Sequence, residues 1–293
     1  MTPTITRDAN LCIKCGTCVL TCTKSVYAQE TKGSIPEVIN PGSCISDGYC
    51  IAICPKNAII HSEFPEGYVK PVNAENMPSS EEVLELLRTR RSIRVFKDKP
   101  VERQLIEGII EAARFAPSQD NLQTTEFIVV QDKELLEKIV QAVGNFCADF
   151  LAKLRNPLMR RILPIAMRVP AQVVAEFVRP HFEHYVAEIQ RGRDPVLHNA
   201  PSLILFHAEE RPMALADINA SFAVHNAALM IHAQGLGCFY SGFLAEVCRR
   251  DKSVQQLVKL PENHKVYGTL VIGYPRFEFK KWPERKTPKI TWM

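Results

Sequence analysis

The spacing of apolar positions changes several times along this chain, and each change predicts an element. Ser79 followed by Glu82 is a capping-box signal, and Val83, Leu86 and Leu87 supply one apolar helical face, so a helix is predicted to open a new folded region there. Leu105, Ile106, Ile109, Ile110 and Ala113 keep helical spacing over residues 101–115, and Pro117 stops them. The run EFIVV at 126–130 then predicts a buried strand. Further helices are predicted over 133–143 and 217–234, the second ended by Gly235 in a left-handed cap. In SLILFHA (202–208) and VYGTLVIGY (266–274) β-branched and aromatic residues cluster, which predicts strands. Helices with a few non-alternating strands predict an α+β domain of roughly 220 residues.

Ahead of that domain the pattern is different. The short apolar run AIIH at 58–61 reads as a closing strand, and residues 62–80, with Pro65, Gly67, Pro71 and Pro78, read as a linker. Beyond Pro275 the tail is polar, contains Pro283 and Pro288, and is expected to extend away from its own core. A length of 293 residues suits two domains, expected at 1–70 and 71–293.

The first of these contains an internal repeat. CIKCGTCVLTCTK at 12–24 and CISDGYCIAICPK at 44–56 agree at six positions when offset by 32, and three of the six are cysteines. The fourth cysteine of the first copy, Cys15, meets Asp47 in the second. A C-x2-C-x2-C-x3-C run suits cubane iron–sulfur clusters, because three thiolates of one tight loop hold three irons while the fourth points the other way. Zinc uses cysteine pairs separated by a long spacer, so it fits less well. Seven of the ten cysteines lie in the first 54 residues with no hydrophobic signal segment before them, which favours reduced, ligating thiols in the cytoplasm over disulfides. Cys147, Cys238 and Cys248 lack partners at ligand spacing and are expected as core thiols.

Charge adds one further feature. Residues 145–193 hold eight basic and four acidic side chains, which accounts for the whole net charge of +4. General nucleic-acid binding is therefore not expected. Pro157, Pro164, Pro170 and Pro180 are expected to divide this basic insert into short helices, forming a lid over a pocket or a contact with a partner subunit. Contact with an anionic membrane surface is the alternative weighed against it. No apolar run is long enough to span a membrane, so a soluble protein is expected.

Arg90, Arg91, Ser92 and Arg94 in RTRRSIRVFKDKPV (88–101) suit a phosphate, because guanidinium groups donate charge-assisted hydrogen bonds in a fixed fork. That segment, ARFAPSQDNLQTTEFIVV (113–130), GLGCFYSGF (235–243), VIGYP (271–275) and PERKTP (283–288) together resemble the FMN-dependent nitroreductase family over about residues 80–293. The cysteine repeat resembles a two-cluster bacterial ferredoxin. The fold class implied is α+β, a small ferredoxin-like domain followed by a nitroreductase-like flavin domain.

By that resemblance Arg90, Arg91 and Ser92, with Arg285 and Lys286 from the tail, would hold the FMN phosphate, and Arg94 would lie nearer the ring. Ser118, Asn121 and Gln123 match a second flavin-contacting turn, contributed in such dimers by the partner, and Ser241 and Gly242 match the place where backbone N–H groups face the redox edge. Thr124 and Thr125 stand where many relatives have proline and tryptophan. The crossed ferredoxin pattern would give one cluster Cys12, Cys15, Cys18 and Cys54, and the other Cys22, Cys44, Cys50 and position 47, as a four-iron cluster with Asp47 or as a three-iron cluster. GLGCFYSG follows a helix and spaces its glycines unlike a dinucleotide fingerprint, so electrons are expected through the clusters or from an external ferredoxin. A homodimeric oxidoreductase acting on a small organic acceptor is expected. Its alternatives are a flavin dehydrogenase exporting electrons through the clusters and an electron-transfer module without small-molecule turnover. His181, His184 and Tyr185 could donate a proton but read as structural groups.

Overall fold

The computed structural model describes residues 2–211 and 214–293, and the chain divides into two compact units. The first comprises Met1–Pro78 with Gln119–Leu122, and the second Ser79–Ser118 with Gln123–Met293. The linker residues up to Pro78 thus belong to the first unit, as does a four-residue stretch that the sequence pattern assigned to the flavin domain.

In the first unit β1 (Ile5–Arg7) pairs antiparallel with β4 (Ile59–His61), and β2 (Tyr27–Ala28) with β3 (Glu37–Val38). Between them lie two short helices, α1 (Thr17–Thr21) and α2 (Tyr49–Ala52). The repeat of 32 residues is written into the backbone. Lys14 and Ser46, Gly16 and Gly48, and Ser25 and Asn57 are pairs at that offset, and all six have positive φ. Both glycines sit at φ 74° and start their helices from a left-handed residue, a conformation that costs a side-chain-bearing residue energy. Val26 with Ala58 and Tyr27 with Ile59, again at that offset, are buried, and all but Ala58 join Ile5 and Cys50 in the small core.

The second unit begins with α3 (Ser80–Thr89), whose capping box forms as predicted: the Glu82 N–H donates to Ser79 Oγ at 3.3 Å and the Ser79 N–H to Glu82 Oε2 at 2.8 Å. No residue of α3 is buried, and Val83 and Leu87 stay exposed. Then follow α4 (Arg103–Arg114), β5 (Glu126–Val130), α5 (Lys133–Arg155), α6 (Pro157–Met167), α7 (Ala171–Val173) and α8 (Arg179–Gln190). The chain closes with β6 (Ser202–Glu209), α9 (Ala216–Ala233), β7 (Gly237–Tyr240), α10 (Gly242–Arg250), α11 (Lys252–Leu257) and β8 (His264–Gly273).

The four longer strands form one antiparallel sheet in the order β5-β6-β8-β7. Its two faces feed separate cores. Leu203 and Leu205 pack with Val140, Val143 and Leu244, whereas Ile204 and Phe206 pack with Ile106, Ile109, Ala223 and Ile231. Side chains alternate across a strand, so a strand covered by helices on both faces must be apolar throughout, which is why SLILFHA does not alternate.

Two expectations about the insert are corrected. Helix α5 does not end at residue 143 but continues to Arg155 through Gly144, where an added Cβ would lie 2.9 Å from Ile189 Cδ1. The glycine permits close approach of α5 and α8. Nor do all four prolines divide the segment: Pro157 opens α6, but Pro164 lies inside it, and α6 ends at left-handed Arg168. From Ala171 the helix runs into α8 through a π-turn at Val174–Val178, a wider turn that accommodates the missing N–H of Pro180.

Candidate functional site

In the first unit one cavity draws cysteines from both copies of the repeat. Cys12, Cys15 and Cys18 of the first copy line one small cavity together with Cys54 of the second, beside Arg7, Gly16, Thr17 and Lys56. Cys44 and Cys50 lie close enough to act on each other electrostatically, with Asp47 also near Cys50. Cys22 packs in the same small core as Cys44 and Cys50, and Cys18 and Cys54 pack there too.

Each region offers donors aimed at sulfur. The Thr17 hydroxyl donates to Cys15 Sγ at 3.2 Å, and the backbone N–H groups of Val26, Ser46 and Ala58 donate to Cys22, Cys44 and Cys54 Sγ at 3.3, 3.4 and 3.2 Å. The Thr17 hydroxyl pulls the Cys15 thiol below its ordinary range, whereas burial pushes Cys18 and Cys50 up. Two buried donors remain without a well-formed partner among the described residues: Arg7 Nε at the first cavity and the Tyr27 hydroxyl beside Cys50. Buried polar groups are rarely left so, and thiolate or inorganic sulfide at each place would accept from them. The donor set therefore fits two iron–sulfur clusters.

Asp47 stands where Cys15 stands in the other copy, and its Oδ1 accepts the Tyr49 N–H at 3.2 Å. One residue at this centre was not singled out from the sequence. His61, 3% exposed at the end of β4, has Nε2 3.4 Å from Cys44 Sγ. Its Nδ1 accepts the Glu63 N–H at 3.1 Å, so in the neutral ring the proton sits on Nε2 and points at the thiol. Burial holds this imidazole below its ordinary pKa, which keeps it neutral. Only the final letter of AIIH hinted at it.

In the second unit a cavity of about 800 Å³ is lined by Arg90, Arg91, Lys97, Arg276, Lys280 and Lys281, among other residues. A neighbouring cavity of about 330 Å³ takes in Ser92, His225, Phe239 and Tyr240. Arg90, Ala228 and Cys238 line both. Such a basic concavity of this size fits a phosphorylated ligand. Residue Ser92 is held by a parallel bridge to Cys238 on β7, and the Ile93 N–H donates to the Cys238 carbonyl at 2.9 Å, so the arginine segment is fastened to the edge of the sheet.

Other expected contacts fall elsewhere. Arg94 lies over the Phe239 ring, 5.2 Å from its centroid, and lines neither cavity. Ser241 caps α10, its Oγ accepting the Leu244 N–H at 3.4 Å, and Gly242 begins that helix. The lining of the larger cavity reaches Trp282 and stops short of Arg285 and Lys286. Ser118 Oγ accepts the Gln123 N–H at 3.0 Å, closing the turn. Asn121, in the first unit, donates through Nδ2 to the carbonyls of Ile45 and Ser46 at 3.3 and 2.7 Å, while Lys24 pairs with Asp120 at 2.6 Å.

His232 also lines the larger cavity and escaped the sequence reading. The Thr89 hydroxyl donates to the Glu85 carbonyl at 2.7 Å, so at 2.8 Å it accepts from His232 Nε2. Burial and then the Arg90 charge hold this histidine below its ordinary pKa. His181 and Tyr185 both meet the Phe243 ring edge to face. Burial raises the thiols of Cys147, Cys238 and Cys248 to about 12, as core thiols require. Among the described residues no helix is long and apolar enough to cross a membrane.

Comparison with known proteins finds two family models along the chain, the second of which includes Gln119–Leu122. Residues 87–274 match the nitroreductase family model, and residues 4–55 match the 4Fe-4S dicluster domain model. A protein of Archaeoglobus fulgidus named "Putative NADH dehydrogenase/NAD(P)H nitroreductase" is 30% identical over 68% of this chain and 88% of its own length. The FMN reductase [NAD(P)H] of Bacillus subtilis is 27% identical over 69% of each chain. Among solved structures, a nitroreductase with bound FMN from Bacteroides fragilis superposes with a TM-score of 0.54 at 23% identity, covering 72% of this chain and 98% of that one. This likeness shows a shared fold.

Proposed function

Because this chain belongs to the nitroreductase family and carries a 4Fe-4S dicluster domain at its N-terminus, we propose that it passes electrons from two iron–sulfur clusters to FMN and on to an organic acceptor such as a nitro compound or quinone. The observation that supports this reading is a crossed set of cysteines on the same chain as an arginine-lined cavity of flavin-compatible size. FMN, when bound, links one-electron donors to two-electron acceptors. The chain's own task is to hold it. Arg90 and Arg91 offer charge-assisted donors to the phosphate, and Ser92 adds a hydroxyl.

A homodimer is part of the same reading. Exposed Leu215, Ile218 and Phe222 on and before α9, with Val83, Leu84 and Leu87 on α3, offer apolar faces for a second copy. Anaerobic purification followed by iron, sulfide and flavin analysis tests the proposal. It predicts FMN and two clusters per chain, with turnover of a nitroaromatic on addition of reduced ferredoxin. Absence of FMN overturns it.

Two substitutions probe the clusters. A carboxylate matches soft iron–sulfide chemistry less well than a thiolate, so the iron nearest Asp47 should be the most weakly held or missing. Mild oxidation is expected to give a three-iron EPR signal from one cluster, and Asp47→Cys is expected to abolish that selective loss. Two equally stable four-iron clusters in the unmodified chain would contradict the assignment. His61→Phe keeps the bulk but removes the donor to Cys44 Sγ. Since N–H···S bonds stabilise the more negative reduced cluster, its potential should fall in an EPR-monitored redox titration. An unchanged potential would remove His61 from the site.

A further inference from the structure

We propose that Glu126, His207 and His264 form a binding site for one divalent transition-metal ion at the end of the four-stranded sheet. The three are distant in sequence and are brought together by strand register. Glu126 of β5 lies directly opposite His207 of β6. His264 of β8 lies opposite Glu209, two residues farther along β6 and hence on the same face as His207. That face carries Leu203, Leu205, Ile128, Val130 and Val266 into one core, and the three polar residues sit where this apolar stripe ends. The register shifts between Phe206 and His207, and such a bulge re-aims side chains next to it.

The geometry is that of ligands to one ion. The ligand atoms of all three residues lie within 4.8 Å of one another, and the two Nδ1 atoms are 2.9 Å apart. With metal–nitrogen bonds of about 2.05 Å, that separation corresponds to an N–metal–N angle of about 90°, as between neighbouring positions of an octahedron. Two imidazoles and a carboxylate on one side of an ion leave the remaining positions open, an arrangement suited to zinc, iron(II) and their neighbours. His207 is 3% exposed, so its ring is fixed in place, whereas Glu126 is exposed and gives an ion access from solvent. The nearby charges are already matched: Lys265 pairs with Glu210 and Arg211 with Glu209, so no unpaired cation among these opposes a metal. A direct bond between the rings would satisfy one nitrogen of each and give Glu126 no role.

Zinc uptake by the full-length protein with its clusters in place tests the site, because empty cluster thiols would themselves take zinc. Anaerobically purified protein is treated with EDTA, desalted, incubated with zinc and desalted again before metal analysis. One zinc per chain is expected, falling to the EDTA-treated background in Glu126→Gln and in His264→Ala. Glu126→Gln changes an exposed residue and preserves its shape, so it stays informative even where a histidine variant folds poorly. Zinc at a hundredfold excess over Kd should also raise the melting temperature of the unmodified chain by about 5–10 °C and leave that of Glu126→Gln unmoved. Zinc content in both variants as high as in the unmodified protein, or no uptake by the unmodified protein, would overturn the proposal and leave a simple histidine–histidine hydrogen bond.

Discussion

Cys54→Ser is expected to remove about four iron atoms per chain, and to remove them from the centre built mainly by the other copy of the repeat. Sequence proximity would pair Cys54 with Cys44 and Cys50. In the structure Cys54 instead lines the cavity of Cys12, Cys15 and Cys18, and its Sγ accepts the Ala58 N–H at 3.2 Å. A serine oxygen there is a harder ligand than thiolate and should fail to hold the iron. The cluster at Cys22, Cys44 and Cys50 should survive, so the three-iron EPR signal produced by oxidation should persist in the variant. If that signal disappears while a four-iron cluster resistant to oxidation remains, the crossed assignment is wrong.

Arg90→Ala is expected to weaken FMN binding by about 1.5–3 kcal/mol, roughly a tenfold to hundredfold rise in Kd. Arg90 is the basic side chain common to the linings of both cavities, and Ile93, three residues on, is hydrogen-bonded to the sheet edge at Cys238. The main chain that carries Arg90 is thus fixed before the ligand arrives, and the substitution takes away a charge-assisted contact to the phosphate. A flavin titration at fixed salt measures the change. Unaltered affinity would move the phosphate away from this segment.

What could be read from the sequence follows from the range of the interactions involved. The cysteine repeat was legible because each copy makes the same local turns, recorded in left-handed Gly16 and Gly48. Strand β6 was legible because burial on both faces leaves an unbroken apolar run. The helix end predicted at residue 143 and the break expected at Pro164 both fail because the outcome depends on neighbours: Gly144 admits Ile189 within α5, and Pro164 is buried inside α6. The stretch Gln119–Leu122 could not have been assigned to the first unit from pattern alone, since its Asp120 and Asn121 meet Lys24, Ile45 and Ser46 across at least 75 residues. His61, His232 and the Glu126–His207–His264 group were hidden for the same reason. An isolated histidine carries no periodic signal, and its partners are set by strand register or helix packing.

The proposed route of electrons to the flavin runs through the clusters. It is tested most directly by following the absorbance of bound FMN after anaerobic mixing with reduced ferredoxin, in the unmodified chain and in Cys54→Ser matched for FMN content. Rapid flavin bleaching is expected in the unmodified chain, and only the rate of direct, unassisted reduction in the variant. Equal rates in the two proteins would contradict it.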